Sequence, residues 1–399
     1  MPQRSEIIAQ RVASMQPFLA MEMMERAFAM QRAGAPVVHL GLGEPDFPAP
    51  PEAIAACSEA LSRGQTRYEE SRGLPALREA IAGDLASRFG VAVSPERVLV
   101  TSGTSPAMLV AFSLLLEPGD EVVLGAPHYP CYPNFIRYCG GVPVFVDTDP
   151  EAGWRLDPAA VRRVVGPKTR AIVVGSPANP TGAVQGATTL RELAELGPAL
   201  VSDEIYDGLV YDGHRMTSAL EVTDAAFVID GFSKRYAMTG FRLGWVVLPE
   251  WATRPAQVLQ QNLFICANAF VQRAGLAALA DGESTLQRMR EVYAERRVRL
   301  ATGLRQLGFG VPHLPEGAFY IFADARRFGG DSMALASALL ERAHVSVAPG
   351  CDFGEAGEGY LRFCFAVSEE TIDTALERMA RVLPALASES AARGPGENT

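Results

Sequence analysis

The sequence predicts an α/β protein: a mainly parallel sheet covered by helices on both faces, joined to a smaller α+β domain. Three observations lead there. Short apolar, β-branched runs alternate with helical stretches, as strands buried on both faces do. The pattern changes after Gly282 to a long charged helix and a few short strands. The chain of 399 residues, 48% hydrophobic and 21% charged, has the size and composition of two ordinary globular domains rather than a disordered polymer.

Taken in order, Met1 to Met24 reads as an amphipathic helix, because Glu6, Gln10, Arg11 and Glu22 interrupt its apolar residues where a secretory leader needs an unbroken apolar stretch. Seven runs then read as strands: Val98 to Thr101, Glu121 to Leu124, Val142 to Val146, Ala171 to Val174, Leu200 to Ser202, Phe227 to Ile229 and Gly244 to Leu248. Beyond them come a helix from Leu286 to Leu304 and strands near Ala318 to Phe322, Val345 to Ala348 and Tyr360 to Phe365. The domain boundaries expected are 44–285 for the large domain and 1–43 with 286–399 for a discontinuous small one, with the polar, Gly-rich residues 388–399 frayed.

Composition removes several function classes. With 36 Lys and Arg against 46 Asp and Glu, the net charge of −10 repels polyanions, so nucleic acid is not an expected partner. The longest apolar or small stretch, Ala107 to Leu116, falls short of the roughly 20 residues a spanning helix needs, so no membrane partner is expected. Six cysteines show no CxxC pair, which suits a reducing cytoplasm, and five scattered histidines give no metal-binding spacing, so no metal is expected.

Open α/β sheets bind ligands beyond the carboxyl ends of their strands, and five runs end in unusual residues. Gly103-Thr104-Ser105 lies between a strand and a helix expected near Pro106, where backbone N–H groups favour a phosphate; an ordinary capped turn is the plainer alternative. Pro127-His128-Tyr129, Ser176 to Gly182, Asp203 to Tyr206 and Ser233-Lys234 would share that edge. Asp203 follows Ala-Leu-Val-Ser, so its carboxylate would be buried and would need a cationic partner. Lys234, at the end of another apolar run, could lose its charge by desolvation and become a nucleophile. An exposed helix lysine is the alternative, which Ser233 beside it and Arg242 eight residues on make improbable.

Over nearly its whole length the chain resembles the class I/II aminotransferases, the fold type I enzymes dependent on pyridoxal 5′-phosphate. The resemblance rests on Gly43-Glu-Pro-Asp-Phe47, Tyr68 before Gly73-Leu-Pro-Ala-Leu-Arg78, Asn179-Pro-Thr-Gly182, Asp203-Glu-Ile-Tyr206, Ser233-Lys234 to Arg242, and Tyr360-Leu-Arg362. It implies Lys234 as the Schiff-base lysine, Asp203 as partner of the pyridine nitrogen, and Asn179 with Tyr206 as donors to the cofactor's phenolate oxygen. Ser233, Arg242 and the backbone of Gly103, Thr104 and Ser105 would hold the phosphate. Tyr129 would stack on the ring, and Tyr68 would reach the phosphate of a second subunit, making a homodimer with shared sites. Arg362, helped by the backbone at Gly43, would grip the substrate α-carboxylate. Arg242 precedes its strand, so Gly244 to Leu248 reaches the same edge most simply if it runs antiparallel, and the fold expected is a mainly parallel seven-stranded sheet with one antiparallel strand.

The reaction implied is ping-pong transfer of an amino group between an L-amino acid and a 2-oxo acid. A lyase or cyclase on the same scaffold shares every cofactor residue and stays open, and a non-catalytic sensor is a third reading, disfavoured because Lys234 and Arg362 are both present. Ser105 stands where the best-aligned aspartate-using members carry lysine, and Phe18 and Leu19 follow the N-terminal Pro17 where they carry small or hydroxyl residues. An apolar or aromatic substrate side chain is therefore expected. Phe264 and Ile265 are open between that pocket and core or dimer packing, and Cys131, Cys266 and Cys351 are given no role.

Overall fold

The computed structural model describes residues 8–393. After a two-residue strand β1 (Val38–His39), the chain forms β2 (Val98–Thr101), β3 (Glu121–Ala126), β4 (Val142–Asp147), β5 (Thr169–Gly175), β6 (Ala199–Asp203), β7 (Phe227–Gly231) and β8 (Gly244–Val247). These last seven make one sheet in the order β2-β8-β7-β6-β5-β3-β4. The run from β4 to β7 is parallel throughout, and β8 lies antiparallel to both β7 and β2, with Thr101 opposite Gly244. The expected mainly parallel sheet with one antiparallel strand is thus present.

Away from the edge strand β4 both faces of the sheet are dry, and the period of two divides each strand between them. Val98, Val100, Ile172, Val174, Val228 and Val247 belong to a core that includes Leu77, Ile81 and Leu85 of the helix Pro75–Phe89. Leu99, Ala171, Val173, Ile229 and Val246 face the opposite core with Ala107, Val110 and Ala111 of the helix Thr104–Leu115. Apart from Val142 and Phe145 on the edge strand β4, which are exposed, the large apolar residues of these strands are taken up by packing, and the strand ends are left to carry chemistry.

A second assembly pairs β9 (Tyr320–Asp324), β11 (Ala348–Pro349) and β12 (Tyr360–Cys364) in the antiparallel order β11-β12-β9, while β10 (Val345–Ser346) runs parallel to β1. The single strand expected over Val345 to Ala348 is divided between two sheets: Ser346 pairs with His39, and Ala348 with Arg362. The strand expected from Ala318 starts instead at Tyr320, because Ala318 sits at φ +57° and its N–H bonds Leu209. The helices Glu283–Leu307 and Glu369–Arg393 close the core, which also takes Met23 and Ala27 of the helix Leu19–Arg32, and Ile205, Tyr206 and Leu209 from the loop after β6.

The N-terminal segment is not one helix. A short helix, Gln10–Ala13, buries no residue, and the next begins only at Leu19, because Pro17 biases Gln16 toward extended backbone and Phe18 is extended too. Asn134 holds the break by exchanging two hydrogen bonds with the Gln16 backbone, at 3.0 and 2.9 Å. Asp352 accepts from the N–H groups of Leu19 and Ala20, which the helix itself leaves unpaired. Residues 1–7 of the expected helix lie outside the described residues. At the other end, the helix continues to Arg393 instead of fraying from Ser388: Arg342 holds Glu389 through both carboxylate oxygens, and Ser388 bonds Pro384. Residues 394–399 lie outside the described residues. Among the described residues no helix is long and apolar enough to cross a membrane.

Candidate active site

A cleft opens where the parallel strands end and the small antiparallel sheet begins. Thr104, Ser105, Tyr129, Asn179, Asp203, Tyr206, Ser233, Lys234 and Arg242 line it from the large sheet, and Phe18, Gly43 and Arg362 from the other side. Residues spread over some three hundred positions of sequence are thereby brought to one place.

The turn after β2 is crowded by design of its glycines. Gly103 has φ +93°, and a Cβ there would lie 2.6 Å from Nη2 of Arg242; a Cβ on Gly244 would lie 2.9 Å from the Thr104 nitrogen. The start of β8 therefore presses on the first turn of the helix Thr104–Leu115, whose leading N–H groups have no partner within the helix. Arg242 donates to the Thr239 carbonyl at 3.1 Å and pairs with no carboxylate among the described residues. Helix N–H groups, an uncompensated guanidinium and the Ser233 hydroxyl make a donor set suited to a phosphate.

Asp203, at the end of β6, is 8% exposed. It accepts from the Tyr132 hydroxyl at 2.6 Å and from the Ile205 N–H at 3.3 Å, and no cation pairs with it among the described residues. Burial pushes its pKa above the ordinary carboxylate value, opposed by the Tyr132 hydrogen bond, the Ile205 N–H and the nearby Lys234 charge. A buried carboxylate with two donors and no counter-ion suits a cationic ring nitrogen.

Lys234 follows β7 in a turn. Its Nζ donates to the Gly43 carbonyl at 2.6 Å, and burial pushes the amine down to about 8 against the pull of Glu44. Gly43 must be glycine, since a Cβ would run into the Tyr320 hydroxyl. Arg362, on β12, is 3% exposed and donates to Asn179 Oδ1 at 2.9 Å and to the Gly41 carbonyl at 2.7 Å. Its guanidinium lies 4.3 Å from the Tyr320 ring centroid and 5.0 Å from that of Phe353, and its Nε has no hydrogen-bond partner. Because Asn179 Oδ1 is engaged by Arg362, the Asn179 amide nitrogen is the end left to donate.

Tyr129 packs edge-on against Tyr132 at 5.3 Å and Phe18 at 6.0 Å between ring centroids. The Tyr206 and Tyr320 hydroxyls are 2.7 Å apart, and burial drives the Tyr206 phenol well above its ordinary value, keeping it neutral. Beyond Phe18 the cleft is closed by Ala20, Met21, Met24 and Leu42.

Some expected residues are elsewhere. Leu19 lines a neighbouring depression with Gln16 and Cys351. Tyr68, expected to act at a second subunit's site and not at its own, is 80% exposed on this chain. Phe264 is partly buried in the sheet's core, Ile265 is exposed, and neither lines the cleft. Burial pushes the Cys131 thiol up to about 11 and raises that of Cys351 as well, so neither is a ready thiolate. Tyr132 and Tyr320 were not anticipated from sequence. For Tyr132 the nearest signal is its place in the first turn of the helix Cys131–Tyr138, directly after the strand-end segment that carries Tyr129.

The family model described as aminotransferase class I and II matches residues 35–379. The chain is 38% identical over 383 residues to the aspartate/prephenate aminotransferase of Thermus thermophilus, covering 94% of this chain and 98% of that protein. It is likewise 38% identical over 381 residues to the valine–pyruvate aminotransferase of Mycobacterium tuberculosis, covering 93% and 97%. Among solved structures, the aspartate aminotransferase of Thermus thermophilus with maleate superposes with a TM-score of 0.90 at 38% identity, covering 94% of this chain and 99% of that one.

Proposed function

The chain belongs to the family of class I and II aminotransferases, and within it we propose an enzyme that moves the amino group of an L-amino acid with an apolar or aromatic side chain to a 2-oxo acid by a ping-pong mechanism. Pyridoxal 5′-phosphate, the cofactor of this family, supplies an aldehyde that condenses with amines and a ring that draws electrons from the substrate Cα.

The chain's own residues divide the rest of the work. In this reading Thr104, Ser105, Ser233 and Arg242, with the Gly103 backbone, bind the phosphate, and the Tyr129 ring covers the cofactor ring. Asp203 keeps the ring nitrogen protonated as its counter-ion, and the Asn179 amide and Tyr206 hydroxyl donate to the phenolate oxygen. Lys234 would carry the cofactor; once set free by the substrate amine, its own amine could take the proton from Cα and return it at the cofactor's aldehyde carbon, a task that suits a lysine held near 8. Arg362 would grip the α-carboxylate beside the Gly43 backbone, its guanidinium held in place by the Asn179 and Gly41 oxygens and the two aromatic rings.

The observation that carries the substrate class is the count of cations in the cleft. Among the described residues of this chain Lys234, Arg242 and Arg362 are the cations that line it, each already assigned, and the rest of the lining includes Phe18, Ala20, Met21, Met24 and Leu42. A second carboxylate buried there without a partner costs several kcal/mol, whereas apolar surface gains about 25 cal/mol per Å². Arg235, the remaining nearby cation in the lysine motif, is 5% exposed and paired with carboxylates outside the cleft. The test is kcat/KM for aspartate against alanine, methionine, leucine and phenylalanine with one fixed acceptor. At least about tenfold preference for an apolar donor is expected from the desolvation difference; a preference for aspartate refutes the assignment.

We further propose a homodimer in the cytoplasm. Tyr68 is exposed next to Glu69, whose N–H bonds Cys266, and exposed Ile265 stands beside that cysteine, so an apolar surface adjoins the tyrosine. All six cysteines are free, as a reducing compartment keeps them. Sedimentation of an active monomer would overturn the dimer.

A further inference from the structure

Lys234 is followed at once by a second cation that goes the other way. While Nζ of Lys234 reaches Gly43 in the cleft, the Arg235 guanidinium is buried among carboxylates: Asp84 at 3.3 Å, Asp207 at 3.4 Å and Glu283 at 3.3 Å. Arg88 completes the group, pairing with Asp84 at 2.6 Å and also with Asp207. Asp207 comes directly after Tyr206 and four residues after Asp203, so one buried ionic ring joins the segment bearing the lysine to the segment bearing the carboxylate and the phenol.

Phe232, Tyr236 and Met238 seat the turn that carries Lys234 in the sheet's core, but its backbone is loosely tied. Its main-chain hydrogen bonds are long, 3.3 Å from Tyr236 to Phe232, 3.4 Å from Ala237 to Lys234 and 3.3 Å from Met238 to Phe232, and Ala237 is held at φ +50°. Well-formed backbone bonds lie nearer 2.9 Å. The Arg235 ion pairs therefore add a directional tie between this turn and the segment after β6 that neither the core packing nor the long backbone bonds supply. A lysine side chain extends about 6 Å from its Cα, so a turn rotation of about 10° moves the amine by about 1 Å, a misplacement that costs about a hundredfold in rate.

We propose that Arg235 is a positioning residue for Lys234: its ion pairs with Asp207 and Asp84 hold the lysine turn at a set distance from Asp203 and Tyr206. The inference rests on Lys234 being the cofactor lysine. Two probes on the full-length protein stripped of cofactor separate positioning from general support. One is the rate at which pyridoxal 5′-phosphate is captured, as the Lys234 amine condenses with the aldehyde and releases one water. The other is the equilibrium binding of pyridoxine 5′-phosphate, which carries an alcohol in place of the aldehyde and cannot condense.

Arg235→Met is expected to slow capture at least about tenfold while pyridoxine 5′-phosphate binds within about twofold of the parent, and Arg235→Lys is expected to recover part of the rate. In the loaded enzyme kcat falls and KM for the amino acid holds within about twofold. Unchanged capture, or equal weakening of both probes, overturns the proposal. Should Arg235→Met fail to fold, Asp207→Asn, which leaves Arg235 paired with Asp84 and Glu283, carries the same test with the same outcomes. A Lys234→Ala protein run beside these distinguishes the two readings: if it still captures the aldehyde at the parent rate, the assignment of Lys234 fails rather than the role of Arg235.

Discussion

Replacing Asp203 by asparagine keeps the shape of the pocket and removes one charge. In the structure the carboxylate has two donors, the Tyr132 hydroxyl at 2.6 Å and the Ile205 N–H at 3.3 Å, and no cationic side chain among the described residues, so its proposed counter-ion is the ring nitrogen alone. Breaking a buried ion pair from one side costs about 3–5 kcal/mol. If that stabilisation matters mainly in the transition state, kcat drops by about two to nearly four orders of magnitude, at roughly 1.36 kcal/mol per tenfold. The assay is initial rate with the best amino donor and a fixed 2-oxo acid, on protein whose cofactor content equals the parent's. A variant within about threefold of the parent refutes the counter-ion role. Tyr132→Phe probes the same carboxylate from the other side and should cost about tenfold or somewhat more, as loss of a hydrogen bond to a charged group does. Its sign in pH is also set: burial raises the Asp203 pKa and the Tyr132 bond lowers it, so without the hydroxyl the pKa rises. The acid limb of kcat then moves to higher pH.

Lys234→Ala should lose both the absorbance of the lysine-linked cofactor and turnover, and a mass spectrum placing the cofactor on another lysine would sink the assignment. In the parent, the rate of aldehyde capture should rise as pH passes about 8 and level off above it, since only the neutral amine reacts; a rise continuing past pH of about 10 means that burial does not depress this lysine. Mixing Tyr68→Phe with Lys234→Ala protein should regenerate activity, because one site of the hybrid carries neither change, and no gain on mixing rejects a shared site. Gly350→Ala should destabilise by about 1–3 kcal/mol in a denaturant titration, as its Cβ would meet the carbonyl oxygens of Gly357 and Tyr360; Gly83→Ala, mid-helix with open space around it, should gain up to about 1 kcal/mol.

The large sheet was legible because its strands are buried on both faces and so spell continuous β-branched runs, and because Arg242, placed before its strand, required the reversed direction of β8. The cleft residues at strand ends were legible for the same reason: a polar group directly after a dry run has few places to go. What the chain hid follows equally physical lines. Tyr132 and Tyr320 look like ordinary core aromatics until their hydroxyls are seen against Asp203 and Tyr206. Leu19 is expected in the cleft with Phe18, but it lines the neighbouring depression beside Gln16 and Cys351 instead. The break at Pro17 was present in the sequence, but the partner that holds it, Asn134, is 118 residues away. No local pattern reports such a contact.

The reversed strand β8 also orders the birth of the molecule. Strands β3 to β7 find their parallel neighbours as the chain is synthesised, but β2, made before any of them, has β8 as its sole partner strand, with Val98 waiting for Val247. Contacts so distant along the chain form slowly, since a long loop must close before any pairing rewards it. A nascent chain ending before Gly244 therefore leaves β2 without a strand beside it, and the turn that follows it, Gly103 to Ser105, without the wall that shapes it. Amides of β2 should accordingly gain protection late in a pulsed hydrogen-exchange refolding experiment, after those of β5 and β6. The first strand of the sheet to be synthesised should be among the last to be seated, and the turn proposed to bind phosphate should take its shape only once the chain is more than half made.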